Sequence, residues 1–321
     1  MDSFDVAALG ELLIDFTQNG VSAQGNSLFE ANPGGAPANV LAMLQKLGRH
    51  CAFLGKVGHD GFGDSLAETL SAFGIDLRGL CRDEDVHTTL AIVHTLPGGD
   101  RDFSFYRSPG ADVMLRPEEL AQDVLTAARI FHFGSLSLTD EPCRSATHAA
   151  LKLARESGAL ISYDPNLREP LWPDLETARE QIEWGLAQCD ILKIADNEIR
   201  FVTGEENFDR CAEKLLARYP NIRLMNLTMG AGGSRAFCGG LDVSVPGFRL
   251  GGVTETTGAG DCFCACVLDY VLDHGLDGLT EEDLIRMLRF ANAAAYLVTT
   301  KRGAIRSMPE RAEVEALLRA H

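Results

Sequence analysis

Short, nearly unbroken apolar runs alternate along this chain with longer segments whose apolar positions recur three and four apart. "DVAALGELLIDF" near the start reads as the first strand, with Asp15 at its end, and a polar stretch containing Gly and Asn follows to Glu30. "GGAPANVLAMLQKLG" opens on glycines and continues as a helix, because Val40, Leu44 and Leu47 share a face and Gly48 supplies a C-terminal stop. "CAFLGKVG" predicts a strand and "DSLAETLSAFG" a helix. From about residue 118 the alternation becomes regular: "ARIFHFGSL", "ALISYDP", "DILKIAD" and "IRLMNLTMG" are strands. Helices at "PCRSATHAALKLARESG" and around "LETAREQIEWGLAQ" are interleaved with them. Strands alternating with helices imply βαβ units, hence an α/β fold with a central, mostly parallel sheet covered on both faces.

One segment breaks this rhythm. "TTLAIVHTLPGGDRDFSFYR" is two β runs about a Gly-Gly-Asp turn, which predicts a hairpin. Together with strands in the early polar stretch it predicts a small sheet outside the α/β core, a discontinuous β lid from approximately 11–33 and 88–110 on a single domain spanning 1–321. Two inserts of this kind are placed to close over a site.

The chain has 321 residues, enough for one large domain with a full core. Its net charge of -17 excludes nucleic acid and anionic membranes as natural partners, since both would repel it. The first residues carry acids and no basic region, unlike a signal peptide, and no apolar run approaches a membrane span. Nine cysteines are scattered without a CxxC pair, and Cys262, Cys264 and Cys266 alternate along a predicted helix rather than converging. Reduced thiols and a cytoplasmic location follow.

The chemistry concentrates at "ETTGAGDCF". No GxxxxGK[ST] occurs and no GxGxxG follows the first strand, so neither common nucleotide fingerprint is present. "CFCACVLDYVLDHG" is helical by pattern, which sets Gly258, Ala259 and Gly260 at its N-terminus. Backbone N–H groups without helical partners, and the positive end of the helix dipole, suit a phosphate there. Asp261 in the same turn would compete with that phosphate unless it takes the proton of an attacking hydroxyl. The pattern therefore reads as phosphoryl transfer from ATP to an alcohol, with the 258–260 amides as the anion hole and Asp261 as general base. An ordinary helix cap and tight turn is the plain alternative.

"GGAPAN" (34–39) together with "TTGAGD" (256–261) resembles the two signatures of the PfkB, or ribokinase-like, carbohydrate kinases. "GELLIDF", "FYRSPGADVML", "GSLSLTDEPCRSAT", "SYDPNLREPLW" and "ANAAAYLVTTKRGAI" look like the fructokinases of that family, and the likeness runs nearly end to end. It implies a ribokinase-like fold, ATP-dependent phosphorylation of a sugar, and a homodimer formed through the lid. Gly34 and Gly35 would let backbone approach the sugar, with Asn39 and Asp15 hydrogen-bonding its hydroxyls. Arg107 and Arg168 lie in motifs shared with 2-keto-3-deoxygluconate kinases, where arginines would hold an acid, so that substrate stays open beside fructose. A non-catalytic sugar-binding relative is the remote alternative, disfavoured by the intact Asp261 and glycines.

For the nucleotide, the resemblance implies Lys193, Thr228, Gly230 and Gly233 around the phosphates and ribose, with Asn292 near the adenine. Glu198 matches the acidic end of the family's NxxE motif, which organises Mg²⁺ through water, while Ala195 replaces the Asn. A K⁺ site would use Thr257, Gly303 and Ser307 with Glu255, which stands where most members carry the shorter Asp.

Overall fold

The computed structural model describes residues 3–95 and 101–321, so the Gly98-Gly99-Asp100 turn lies outside the described residues. In chain order the first half contains β1 (Phe4–Leu9), β2 (Leu13–Val21), β3 (Ser27–Gly34), α1 (Ala36–Lys46), β4 (Cys51–Gly58) and α2 (Gly61–Ala72). It continues with β5 (Asp76–Asp83), β6 (Leu90–Thr95), β7 (Arg101–Tyr106), α3 (Gln122–Ala127), β8 (Ala128–Gly134), α4 (Cys143–Glu156) and β9 (Leu160–Asp164). Next come α5 (Leu175–Leu186), β10 (Ile191–Ala195), α6 (Asp196–Thr203), α7 (Phe208–Arg218), β11 (Leu224–Thr228), β12 (Ser234–Cys238) and β13 (Leu241–Val245). Three helices close the chain: α8 (Ala259–His274), α9 (Glu281–Thr299) and α10 (Arg311–Ala320).

Nine strands form one sheet in the order β13-β12-β11-β10-β9-β8-β1-β4-β5. Neighbours from β11 to β5 pair parallel, and β12 and β13 add an antiparallel edge. Its strands read as continuous apolar runs because both faces are covered. Val6 and Ala8 point into a core shared with α1, α8 and α9, while Ala7 and Leu9 point into a second core shared with α4 and α5. The strand order reverses at β1, between β4 and β8, so the C-terminal ends of these strands frame a crevice of the kind in which open α/β sheets bind ligands.

A second sheet has the order β3-β2-β6-β7. Here the structure corrects the reading of "DVAALGELLIDF" as one strand. β1 ends at Leu9, the chain leaves the large sheet at Gly10–Leu12, and β2 begins a different sheet. Asp15 is thus the third residue of β2, paired with Asn32 of β3 and Ala91 of β6. The physical cause is competition for partners. Phe4–Leu9 is flanked by β4 and β8, whereas Leu13–Thr17 finds β3 on one side and β6 on the other. The reading also passed over β5, β12 and β13, whose mixed polarity hides them.

Nine cysteines are free, and Cys262, Cys264 and Cys266 are all buried on α8, a helix surrounded by protein on most sides. Among the described residues no helix is long and apolar enough to cross a membrane.

Candidate active site

The loop Thr254–Gly258 leads into α8, whose first turn lies beside Lys193 of β10 and Asn39 of α1. Gly258 caps the helix at φ 80, a left-handed conformation that favours glycine. A side chain there would also press on Ala304 at 3.1 Å. The Ala259 N–H leans 3.3 Å from the Thr256 carbonyl, and regular helical bonding starts with Cys262 N–H to the Gly258 carbonyl at 2.8 Å. The Ala259 amide is thus turned back onto the loop, and the Gly260 and Asp261 amides precede the first regular helical bond, where a helix start presents N–H groups to a ligand or solvent. A Cβ on Gly260 would stand 3.1 Å from Lys193 Nζ, so the bare backbone lets that ammonium sit close against the turn.

Asp261 is buried in the same turn. The Asn39 side chain donates Nδ2–H to its Oδ2 at 2.7 Å, across a sequence gap of 222 residues. The two glycine-rich motifs, at opposite ends of the chain, thus meet side chain to side chain. Burial raises the Asp261 pKa above the usual carboxylate value; the Asn39 bond and the charges of Lys193 and Arg168 pull it back, and Glu198 adds to the rise. Asn39 Oδ1 is buried without a hydrogen-bond partner.

α1 delivers Asn39. Gly35 caps this helix at φ 123, and a Cβ there would run into the Glu11 carbonyl oxygen. A Cβ on Gly34 would meet Asp15 Oδ2 at 2.6 Å, so this glycine gives the half-buried Asp15 carboxylate its room.

Lys193 reaches Asp164 Oδ1 at 3.1 Å, and Oδ2 is equally near but lacks hydrogen-bond geometry. Burial opposes the Lys193 charge, yet the carboxylates of Asp164, Glu198 and Asp261 outweigh it and hold the ammonium protonated. Burial likewise pushes Asp164 up, against the pull of Lys193. Beneath them His132 is held neutral, its pKa lowered to about 3 by burial and by Lys193, and Nδ1 lies 2.9 Å from Ser162 Oγ. Both Glu198 oxygens accept backbone N–H groups, from Leu167 and Ala195, each at 2.8 Å. Glu198 therefore ties α6 to the loop after β9, the loop that carries Arg168.

Thr228 ends β11, and Gly230 and Gly233 form the turn after it, packed against the segment following β13. Asn292 on α9 sits behind this turn: Oδ1 accepts from Ser234 Oγ at 2.9 Å and Nδ2 donates to the Val245 and Pro246 carbonyls at 3.3 and 3.4 Å. It braces the turn. Arg107 lies at the base of the small sheet, buried. Nε donates to Asp112 Oδ2 at 2.8 Å, Nη1 to Thr139 Oγ1 at 2.9 Å and Nη2 to the Leu136 carbonyl at 2.8 Å. Arg168 is exposed but close enough to Asp261 to act on it electrostatically.

A third cluster lies beside the α8 turn. Gly303 N–H donates to buried Glu255 Oε2 at 3.2 Å, and Ser307 Oγ donates to the Gly303 carbonyl at 2.9 Å. Gly258, next to Thr257, packs on Ala304, and Gly303 approaches Asn32 of the small sheet. The 303–307 loop thus touches both the first turn of α8 and that sheet.

Residues 3–311 match the model of the pfkB family carbohydrate kinase. The chain belongs to the pfkB family of carbohydrate kinases. Its sequence is 44% identical over 316 residues to the Arabidopsis thaliana protein named "Probable fructokinase-2", covering 98% of this chain and 95% of that one. Its fold is similar to that of a Xylella fastidiosa fructokinase with bound ATP, with a TM-score of 0.88, 30% identity and 98% of each chain covered. A Vibrio cholerae fructokinase in its fructose, ADP and calcium ion bound form has a TM-score of 0.87 and 29% identity, covering 99% of this chain and all of that one. The fold is ribokinase-like, and the chain is an ATP-dependent sugar kinase.

Two residues of this kinase site went unmarked in the sequence. Asp164 closes β9 in "SYDPNLR", and its place at a strand end was the available signal. Glu11 is a buried acid two residues before β2, and only the tertiary structure reveals what it touches.

Proposed function

We propose that this kinase phosphorylates fructose to fructose 6-phosphate. The observation that carries the reading is the 2.7 Å bond from Asn39 to Asp261 at the open end of α8, beside Lys193. It puts a sugar-side residue, a buried carboxylate and the N-terminus of a helix in one place. Asp15 and Asn39, with the backbone at Gly34 and Gly35, hold the sugar hydroxyls. The attacking oxygen forms a bond to the γ-phosphorus of ATP while its proton passes to Asp261; the bond from phosphorus to the β–γ bridging oxygen breaks, and ADP leaves. The 258–260 amides and Lys193 stabilise the charge on the group in flight, which is the larger part of catalysis in such reactions. The turn bearing Thr228, Gly230 and Gly233 holds the nucleotide, with Asn292 bracing it from behind.

The residues also fit a divalent cation. Asp164 Oδ2 is buried without a hydrogen bond, and such hard oxygen donors suit Mg²⁺ carried in on ATP phosphates and water. Asp164, with Glu198 behind it, would hold that hydrated ion, which offsets phosphate charge when bound. The segments bearing Glu255 and Thr257 and bearing Gly303 and Ser307 carry oxygens of the kind that suit K⁺, and Glu255 Oε2 accepts the Gly303 N–H directly.

Fructose is favoured over a keto acid because Arg107 directs its guanidinium at Asp112, Thr139 and Leu136 rather than at a ligand. The small sheet acts as the lid. Val21, Leu28, Phe29 and Tyr106 are 46–62% exposed on it, an apolar surface that a second copy's lid would cover. The acidic surface and free thiols fit a cytoplasmic homodimer. An ADP-release assay across fructose, ribose, adenosine, tagatose 6-phosphate and 2-keto-3-deoxygluconate tests the substrate. Asp261→Ala should lower kcat by roughly 10²–10⁴ while ATP still binds. Response to the keto acid alone, or near-normal turnover in the variant, overturns the reading.

A further inference from the structure

The chain passes between the body and the small sheet four times: at 10–12, at 34–36, at 84–89 and at 107–110. One buried polar cluster joins all four crossings. Glu11, in the first, accepts the Ala36 N–H of the second at 2.8 Å through Oε1. Thr89, in the third, donates its hydroxyl to Asp112 just past the fourth. Arg107, in the fourth, is ion-paired with Asp112 at 2.7 Å. The charges of Asp112 and Arg107 also act on Glu11. Glu11 and Asp112 are only 5% and 3% exposed, and neither is one of the groups that carry the phosphoryl-transfer chemistry. A buried carboxyl is retained at a cost unless its bonds do something.

We propose that Glu11 is a positioning residue for the sugar: its carboxyl clamps the Ala36 N–H, and so holds the Gly34–Gly35 turn and Asn39 at the correct height above Asp261. The proposal rests on the reading that this turn faces the sugar. Three features support it. Ala36 is the residue after Gly35, and the Glu11 carbonyl packs directly on Gly35, so side chain and backbone of one residue grip the same peptide. Asn39 lies one helical turn onward, on the face that meets Asp261, so a shift of the α1 start moves the Asn39–Asp261 bond. Burial raises the Glu11 pKa to about 7, yet its protonated and ionised forms both keep an oxygen to accept from Ala36. Glutamine preserves that acceptor and leucine removes it.

The test compares Glu11→Gln and Glu11→Leu with the parent enzyme. Steady-state kinetics are run with fructose and ATP varied separately, and deuterium uptake is followed in a peptide spanning 34–40. Loss of a buried acceptor should raise the KM for fructose in Glu11→Leu by roughly 10-fold or more, with the KM for ATP changed less than about 2-fold. Deuterium uptake should rise in the 34–40 peptide before any other part of the body, and Glu11→Gln should restore both readouts. A fructose KM unmoved in folded Glu11→Leu overturns the proposal. So does a Gln variant as impaired as Leu, or a general rise in uptake with both KM values. If the parent prefers another sugar, the same comparison on that sugar decides. If it phosphorylates none, the kinase reading fails while the exchange measurement still judges the clamp.

Discussion

Asn39→Leu separates the electrostatic part of the site from its sugar contacts. Leucine has the branched shape of asparagine, is bulkier and has no donor, so Asp261 Oδ2 loses its 2.7 Å bond without a cavity opening for water. A hydrogen bond to a charged group contributes about 1.5–3 kcal/mol. The bond favours the ionised carboxylate over its protonated form, so it keeps Asp261 the stronger acid. The sign follows from the site: burial already raises the Asp261 pKa and the Asn39 bond opposes that rise, so removing the bond lifts it further. A general base works only when deprotonated. The acid limb of kcat/KM for fructose should therefore move to higher pH, with kcat/KM on that limb falling roughly 10-fold or more, while activity above the limb is lowered only by the lost sugar contact. The assay is ADP release at limiting fructose over roughly pH 5 to 9, scored by the limb rather than the plateau. A lowered plateau with an unmoved limb would falsify the view that this bond tunes the base.

Other consequences can be checked in parallel. Gly35→Ala forces a side chain into a positive-φ position against the Glu11 carbonyl; strain of about 1–3 kcal/mol should appear as a lower urea midpoint together with a higher fructose KM, and an unchanged midpoint would refute the assignment. Arg107→Met leaves Asp112 buried without its counter-charge and should cost about 3–5 kcal/mol of unfolding free energy; a raised KM with normal stability would instead make Arg107 a ligand contact. Replacing K⁺ by tetramethylammonium at constant ionic strength should lower kcat through the Glu255 loop, and an indifferent rate would remove that site. Lid pairing predicts a dimer by calibrated gel filtration that Phe29→Asp or Tyr106→Asp converts to monomer.

The sequence by itself determined the large sheet's core, because strands buried on both faces must be apolar runs and helices packed on them must carry apolar stripes. "CAFLGKVG" coincides with β4 and "DILKIAD" contains β10 for that reason. It also marked Gly258–Asp261, because helix starts that bare their amides need small residues whatever surrounds them. Only the tertiary structure decided which partner each strand takes: nothing local in "DVAALGELLIDF" says that its two halves join different sheets. Only the structure, too, decided the use of each charge. Arg107 and Arg168 look alike as residues in motifs, yet one is buried on Asp112 and the other stands exposed near Asp261. Glu11, an acid among apolar neighbours, has no visible purpose until Ala36 arrives beside it. Periodicity reports burial, which is a property of the local run. Pairing and electrostatics depend on distances between residues far apart in the chain, and those exist only once it has folded.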